Sequence, residues 1–328
     1  MGIRKTKAGP RTIAGVRIGH ASDYHGLTGC TVILTEAGAV CGVDVRGSAA
    51  GTRELAPCLP GHLVERVHAV FLTGGSAFGL DAAAGVMQFL ELRGVGFPAG
   101  SARVPIVPAA VIFDLSLGDS RARPDAGMAK WACQKATVNV VEGSVGAGTG
   151  ATVGKILGLS HATKGGVGFS SLNLPGEVIV QALAVVNAFG DIVDPENGRI
   201  LAGARLSSSA KEFLSTQEQM FRGKTVRGFA AANTTLVTVM TNAALNKIQA
   251  TKVAQMAQDG MARVVSPAHT QLDGDLVFTL SIGQKTSDLN TLGAAAARVT
   301  AQAILRGVTT AKGLGGVPCV GDLADACA

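Results

Sequence analysis

Two short segments of this sequence carry residue types that could do hydrolytic chemistry. The first is the pair Asn233-Thr234, which follows three alanines and leads at once into a strand-like run. A threonine hydroxyl is a poor nucleophile unless a base takes its proton. A free α-amine on the same residue, with an unperturbed pKa of about 7.7–8.0, can be that base. Cleavage of the chain before Thr234 would create this amine. We therefore predict that the chain cleaves its own Asn233-Thr234 peptide bond and that Thr234 is the nucleophile that this cleavage frees.

The second segment places Asp273 and Asp275 two residues apart, before an apolar run. In extended backbone, residues i and i+2 point to one face. Two carboxylates on one face repel each other unless a cationic or proton-donating group lies between them, and the ammonium and hydroxyl of Thr234 would be such groups. Each segment alone also has a plainer explanation, because Thr234-Thr235 can simply open a strand and Asp-Gly-Asp can be a solvated turn.

Residues 143–158 are rich in glycine and contain Lys155 as their single charged residue. Residues 146–151 match the pattern G-x-G-x-x-A of dinucleotide-binding loops. However, no Asp or Glu occurs between Glu142 and Glu177, where the ribose-binding acid of such folds belongs. A tight turn where backbone approaches backbone or ligand is the alternative. A nucleotide-binding module therefore stays a separate hypothesis, which thermal stabilisation by NAD or ATP would support.

The composition argues against several classes of protein. The chain has 328 residues, of which 47% are hydrophobic and only 16% charged, which suits a well-buried core and a large buried interface. The net charge of +6 is scattered and there is one Trp and one Tyr, so nucleic-acid binding is poorly supported. We find no membrane-spanning run and no secretory signal. The six cysteines and six histidines show no metal-ligand or disulfide spacing, so we expect a cytoplasmic protein with reduced cysteines and no metal, cofactor, membrane or nucleic-acid partner.

Hydrophobic periodicity predicts strands and helices in mixed order. The predicted strands are 12–19, 28–35, 39–45, 67–72, 110–116, 137–141, 177–187, 235–241 and 276–282, and the predicted helices are 77–92, 125–134, 247–264 and 288–306. Strands 28–35 and 39–45 are expected to form a hairpin. Residues 207–228 are the best candidate for a mobile linker, and residues 313–328 for an irregular tail. Strands that are apolar on both faces favour an α+β layered sandwich over a doubly wound sheet.

The chain resembles the P1 family of peptidases, which includes L-aminopeptidase/D-amidase/D-esterases, β-peptidyl aminopeptidases and 6-aminohexanoate (nylon oligomer) hydrolases. The resemblance spans most of the chain and rests on residues 74–85 (GGSAFGLDAAAG), 109–114 (AAVIFD), 146–148 (GAG) through 154–155 (GK), 184–187 (AVVN) through Asp194, 233–235 (NTT), 241–242 (TN) and 269–270 (HT) through 273–275 (DGD).

The resemblance implies a four-layer αββα sandwich that forms one domain over residues 1–328. It also implies self-cleavage into a large chain, 1–233, and a small chain, 234–328, that stay together. Homo-oligomers are expected from the family as well.

The resemblance further implies roles for individual residues. Thr234 is the nucleophile, and Asp273 and Asp275 orient it and assist proton transfer. Lys155 and Asn187 are polar groups near the nucleophile. Asn187 could donate to an oxyanion, and loss of one such donor typically costs about 10²–10³-fold in rate.

The expected function is therefore that of a self-processing amide hydrolase. Its expected substrates are peptides, amino-acid amides or ω-amino-acid oligomers, including 6-aminohexanoate oligomers. Phe113 stands where the nylon-oligomer hydrolase branch carries a Tyr, so any role of that hydroxyl is missing here. The alternative is an acyltransferase of the ornithine acetyltransferase type, which would share the nucleophile but need an amine acceptor.

Overall fold

The computed structural model of the chain describes residues 12–224 and 233–324. Its helices are α1 (Ala83–Glu91), α2 (Ala126–Gln134), α3 (Thr216–Phe221), α4 (Lys247–Ala262), α5 (Leu289–Thr309) and α6 (Val320–Ala324). Its strands are β1 (Arg17–Asp23), β2 (Thr28–Val45), β3 (Thr52–Arg53), β4 (Val67–Thr73), β5 (Phe97–Ala99), β6 (Ala102–Val104), β7 (Ala109–Val111), β8 (Thr152–Val153), β9 (Thr163–Lys164), β10 (Gly166–Leu174), β11 (Val178–Asn187), β12 (Asp191–Val193), β13 (Ile200–Ala202), β14 (Ala204–Arg205), β15 (Phe213–Leu214), β16 (Thr234–Ala243), β17 (Val265–Ser266) and β18 (Leu276–Lys285). Across these described residues, none of the helices has both the length and the hydrophobicity that crossing a membrane would require.

The long strand β2 belongs to two sheets. Its first half pairs with β1 and β4, and β4 continues to β7 and β3; we call this sheet one. Its second half pairs with β18, which continues to β16, β11 and β10; we call this sheet two. Within sheet two, β16 and β18 are parallel, whereas β11 is antiparallel to β16.

The predicted hairpin within residues 28–45 is wrong, because these residues form one continuous strand. The register of β2 against β4 shifts between Leu34 and Ala39, and Gly38 adopts a φ of +85°. The chain therefore changes sheets at this point without reversing. Alternating hydrophobicity is the same on both sides of such a bend and of a hairpin turn, so the pattern alone could not separate the two.

Three apolar layers show how the sheets and helices stack. Along β11, Val180 and Ala182 pack towards α4 and α5, whereas Leu183 and Val185 pack between the two sheets. The outer face of sheet one packs against α1 and α2. The order of layers is thus helices, sheet two, sheet one, helices, which confirms the αββα sandwich.

The predicted helices are present, although the first part of 77–92 is a 3-10 helix, Ser76–Ala82, and two of the helices begin at the expected acidic residues. The Asp125 side chain accepts a hydrogen bond from Met128 N at the start of α2, and Asp288 caps α5 in the same way. The other element predictions were less accurate. Strand β7 ends at Val111, and residues 137–141 contribute only an isolated bridge from Thr137 to Ile18.

The predicted linker is partly ordered. Strand β15 and helix α3 lie within it, and its residues 225–228 fall outside the described residues. In the predicted irregular tail, α6 is a short helix, and residues 325–328 again fall outside the described residues.

Candidate active site

Three strand ends of sheet two bring the predicted residues together. Thr234, the first residue of β16, is paired in register with Asn187, the last residue of β11. Strands β16 and β18 are parallel, and an isolated bridge pairs Asn233 with Asp273 just before both strands begin. Segments that are far apart in sequence therefore meet at one end of the sheet.

The Asn233-Thr234 peptide bond is held by hydrogen bonds on both sides. Asn233 N donates to Leu272 O at 2.9 Å, and the Asn233 carbonyl oxygen accepts a hydrogen bond from Gly274 N at 2.8 Å. The Thr234 hydroxyl donates to the same carbonyl oxygen. Asn233 and Thr234 are both buried. The hydroxyl is thus in contact with the carbonyl group that a self-cleaving nucleophile would attack, and a backbone N–H already polarises that carbonyl.

Gly274 lies directly against the nucleophile candidate. A Cβ atom added at this glycine would be 2.8 Å from Thr234 Oγ1 and 3.0 Å from Ala49 O. Any larger residue would push against the hydroxyl or move the N–H that binds the Asn233 carbonyl. The middle residue of the Asp-Gly-Asp motif is therefore required for close approach of backbone to side chain.

The two carboxylates flank this peptide bond and are almost fully buried. Asp275 Oδ1 accepts a hydrogen bond from Thr235 N at 2.7 Å, one residue beyond the candidate nucleophile. Asp273 Oδ1 accepts from Phe189 N at 3.1 Å, close to the end of β11. Burial, together with the negative charge of Asp275, raises the pKa of Asp273 to about 6. The pair can therefore hold a proton in mildly acidic conditions.

Lys155 and Asn187 form a second group at the same end of the sheet. Lys155 Nζ donates to Asn187 Oδ1 at 2.8 Å and to Asn187 O at 3.0 Å. Asn187 Oδ1 also accepts from Thr152 N at 3.0 Å, and Asn187 Nδ2 donates to Phe113 O at 3.1 Å. Burial lowers the pKa of Lys155 to about 7, and the negative charge of Asp273 opposes that shift. Lys155 thus fixes the side chain of Asn187 next to Thr234.

The glycine-rich segment is packed inside the protein. Gly146, Ala147 and Gly148 are buried, and a Cβ at Gly148 would lie 2.5 Å from Val167 N. A Cβ at Gly154 would meet Ala204 N at 2.0 Å. Glycine is needed at these positions because two backbone segments approach each other closely. Such a close approach is the sequence-based alternative to a nucleotide-binding loop.

Several polar residues of this region were given no role from the sequence. His269 and Thr270 bind the two carboxylates, and the N–H of Gly274 binds the Asn233 carbonyl. Lys164 is fully buried, and its Nζ donates to the carbonyls of Gly148, Ala151 and Gly165. Nothing in a lone lysine between small residues indicates burial, whereas the HTxxDGD spacing could have drawn attention to the residues beside the aspartates.

The space beside the site is small. A cavity of about 30 Å³ lies next to Lys155, with Phe113, Asp114 and Thr152 in its wall. The grooves of about 760 and 900 Å³ are lined by other parts of the chain, around Phe169 and around Phe213. The hydrogen-bonding groups near Thr234 identify this as the candidate site better than cavity size does.

Known proteins resemble this chain over nearly its whole length. A family model described as peptidase family S58 matches residues 12–319. An uncharacterised aminopeptidase of Mycobacterium leprae is 38% identical, with 93% of this chain and 91% of that protein aligned. The 6-aminohexanoate-oligomer endohydrolase of Kocuria sp. is 30% identical, with 89% of this chain and 83% of that protein aligned.

A solved structure extends the comparison to the fold. The L-aminopeptidase D-Ala-esterase/amidase of Ochrobactrum anthropi, reported as a new variant among the Ntn hydrolase fold, matches with a TM-score of 0.71 at 17% identity. The match covers 93% of this chain and 87% of that one. With the family match over residues 12–319, the chain belongs to peptidase family S58 and is an amide hydrolase with a fold of the Ntn-hydrolase type.

Proposed function

We propose that the chain cleaves its own Asn233-Thr234 bond and that the freed Thr234 is the nucleophile of the amide hydrolase. The observation that carries this proposal is the double contact on one carbonyl oxygen. The Thr234 hydroxyl and Gly274 N both bond to Asn233 O, the second at 2.8 Å. A nucleophile in contact with a polarised carbonyl is the arrangement that acyl transfer needs.

Self-cleavage would proceed through an ester. Thr234 Oγ1 bonds to the carbonyl carbon of Asn233 as the hydroxyl proton leaves, and the N–H of Gly274 stabilises the negative charge on the oxygen. The C–N bond then breaks as the Thr234 nitrogen takes a proton. Water hydrolyses the resulting ester, which leaves a carboxylate on Asn233 and a free amine and hydroxyl on Thr234.

Substrate hydrolysis would reuse the same groups. The substrate carbonyl takes the place that the Asn233 carbonyl held, against Gly274 N and near Asn187. The Thr234 amine, with an unperturbed pKa of about 7.7–8.0, accepts the hydroxyl proton and later returns it to the leaving amine. Asp275 and Asp273 supply negative charge and a proton site beside this amine, and Lys155 keeps Asn187 in place.

The position of the cut supports an assembly of two chains that stay together. The small chain, 234–328, contains β16 and β18, which lie side by side in sheet two. The large chain, 1–233, contributes β11 on one side of this pair and β2 on the other. Because the small chain is inserted between strands of the large chain and carries α4 and α5 over them, cutting one peptide bond leaves these contacts intact. Homo-oligomerisation and a cytoplasmic location stay predictions.

The nucleophile is tested with two neighbouring threonines. Purified wild-type protein should give two bands on a denaturing gel, with the small chain starting at Thr234 by N-terminal sequencing. Thr234→Val should remain one chain and hydrolyse no amide. Thr235→Val is the matched control, because Thr235 is also fully buried and keeps its backbone bond to Asp275; this variant should still cut. An active wild-type enzyme that stays in one piece would refute the mechanism.

The names of two relatives suggest the substrate class. We propose peptides, amino-acid amides or ω-amino-acid oligomers, because relatives are named as an aminopeptidase and as a 6-aminohexanoate-oligomer endohydrolase. A panel of α-amino amides, D-esters, β-peptides and 6-aminohexanoate oligomers, tested on the processed enzyme, would rank these classes. Product formation in water without an added amine would separate hydrolysis from acyl transfer.

A further inference from the structure

The donors around Asp275 differ from those around Asp273. Asp275 Oδ1 accepts from Thr235 N at 2.7 Å, and Asp275 Oδ2 accepts from His269 N at 2.9 Å and is 3.0 Å from His269 Nδ1. Two of these three groups are backbone N–H groups, which can only donate. The imidazole nitrogen is the one partner whose direction depends on where the ring carries its proton.

The other ring nitrogen settles the direction of that bond. His269 Nε2 is enclosed and has no hydrogen-bond partner among residues 12–224 and 233–324. A proton on Nε2 would bury an N–H with no acceptor and turn the lone pair of Nδ1 towards a carboxylate, and both are unfavourable. We therefore assign the proton to Nδ1, so that Asp275 receives three N–H donors and is stabilised as the anion.

Asp273 has a partner of another kind. Its Oδ1 accepts from Phe189 N, and its Oδ2 accepts from Thr270 N at 3.2 Å and lies 2.5 Å from Thr270 Oγ1. A hydroxyl can accept a hydrogen bond as well as donate one. A proton on Asp273 Oδ2 can therefore be directed at Thr270 Oγ1, whereas a proton on Asp275 would face N–H groups only.

We infer that His269 is a positioning residue of the active site, which holds Asp275 ionised beside Thr234 and leaves the proton of the acidic pair to Asp273. The inference rests on the proposed function of Thr234. It gives the two aspartates different roles: Asp275, which receives N–H donors only, supplies negative charge beside the newly formed amine, and Asp273 takes up and releases a proton. The raised pKa of Asp273, about 6, agrees with this division.

Other charged groups act on the pair from neighbouring segments. Lys155 interacts with the charge of Asp273 from the glycine-rich segment, and the amine of Thr234 joins the site after cleavage. Neither of these groups is the donor to Asp275 Oδ2. The inference therefore predicts an effect of His269 that changes at Lys155 would not reproduce.

The backbone at His269 makes a matched pair of variants available. Its φ of +56° lies in the left-handed region, where glycine and asparagine are the most readily tolerated residues. His269→Gly keeps the backbone bond to Asp275 and removes the side-chain donor. His269→Asn keeps both the backbone conformation and a short side chain whose N–H can replace Nδ1–H.

The experiment follows self-cleavage of the full chain against pH. The wild-type chain and both variants are made by cell-free synthesis, moved into buffers from pH 4.5 to 8.5, and the small chain is quantified on gels over time. Removing the Nδ1–H donor takes away a hydrogen bond that favours the ionised form of the acidic pair, so the acidic limb of the His269→Gly profile should move up by about one pH unit. Cleavage by this variant should be about tenfold slower at the acidic end and within about threefold of wild type at pH 8. His269→Asn should restore the wild-type midpoint.

A purely structural defect would slow His269→Gly equally at every pH, and that result would overturn the inference. Equal shifts in both variants, or a His269→Gly midpoint identical to that of the wild type, would also overturn it. The proposed function itself fails in a different way: the wild-type chain would then stay uncut at every pH. A wild-type chain that cuts while His269→Gly keeps its profile would refute the role of His269 alone.

Discussion

Gly274 offers the sharpest test of the proposed cleavage geometry. Its N–H donates to the Asn233 carbonyl at 2.8 Å. A methyl group added by Gly274→Ala would lie 2.8 Å from Thr234 Oγ1, 3.0 Å from Ala49 O and 3.0 Å from Ala50 Cα. The substitution keeps the N–H donor chemically intact. Any loss of cleavage would therefore come from displacement of groups that are already in place.

The size of the effect follows from these distances. Unstrained contacts of carbon atoms are found at about 3.5–4.0 Å, so the new methyl group must move its neighbours, or itself, by about 0.5 Å or more. A misplacement of about 1 Å can cost 10²-fold in rate, and loss of an oxyanion donor costs about 10²–10³-fold. We expect self-cleavage to slow by about 10²-fold, which corresponds to about 2.7 kcal/mol in the activation free energy. Overpacking should lower the free energy of unfolding by about 1–3 kcal/mol.

Substitution of a second glycine separates slower self-cleavage from a general loss of stability. Gly260→Ala in α4 adds a methyl group 2.0 Å from the backbone oxygen of Ala297 in α5, inside the α4–α5 contact and outside the candidate site. Cleavage is followed as the appearance of the small chain after cell-free synthesis, and stability by urea unfolding of the purified chains. Gly260→Ala should lose stability yet cut at the wild-type rate. A Gly274→Ala chain that cuts as fast as the wild type would refute the assignment of Gly274 N to the scissile carbonyl.

Two further predictions concern buried charges outside the nucleophile. Burial lowers the pKa of Lys164 to about 7 from an ordinary value of 10.5, so between these values the folded chain binds fewer protons than the unfolded chain and stability rises with pH. The stability advantage of the wild type over Lys164→Met should therefore grow from pH 7 to pH 10 in urea unfolding. Exposed Lys211→Met should give a constant difference, and parallel curves for Lys164→Met would contradict the prediction. Asp191, almost fully buried, accepts from Thr216 N at 2.6 Å, Thr216 Oγ1 at 2.8 Å and Ala204 N at 3.0 Å. Asp191→Ala should cost about 2–4 kcal/mol of unfolding free energy; a loss under 1 kcal/mol would show that these donors find other partners.

The candidate residues around the Asn233-Thr234 bond could be chosen from the sequence because their chemistry is local. A threonine after asparagine, and two aspartates separated by glycine, identify candidates without knowledge of the fold. The family resemblance added Lys155 and Asn187, whose side chains carry no comparable local signal. The structure places all of these residues at one end of sheet two, with Lys155 donating to both oxygens of Asn187.

The sequence-based predictions were wrong where one hydrophobic pattern is compatible with two different structures. Alternating residues 28–45 suit a hairpin as well as a strand that passes between sheets, and only the pairing of the second half with β18 distinguishes them. Lysine is a common surface residue, so nothing in the sequence indicated that Lys164 is buried. His269 and Thr270 belong to a recognised motif, but the motif did not show that their side chains bind the two carboxylates. Burial and hydrogen-bond partners depend on which segments meet, and this is decided by the whole fold.

The sequence by itself determined the layered class of the fold, the helix starts at Asp125 and Asp288, and the candidates for nucleophile and acid. These depend on periodicity and side-chain chemistry, which are properties of short segments. Only the tertiary structure decided what surrounds the Asn233-Thr234 bond. The parallel start of β16 and β18 puts Gly274 N on the Asn233 carbonyl, and the folding of residues 269–275 gives Asp273 and Asp275 different donors. Such geometry arises from long-range strand pairing, which no local pattern encodes.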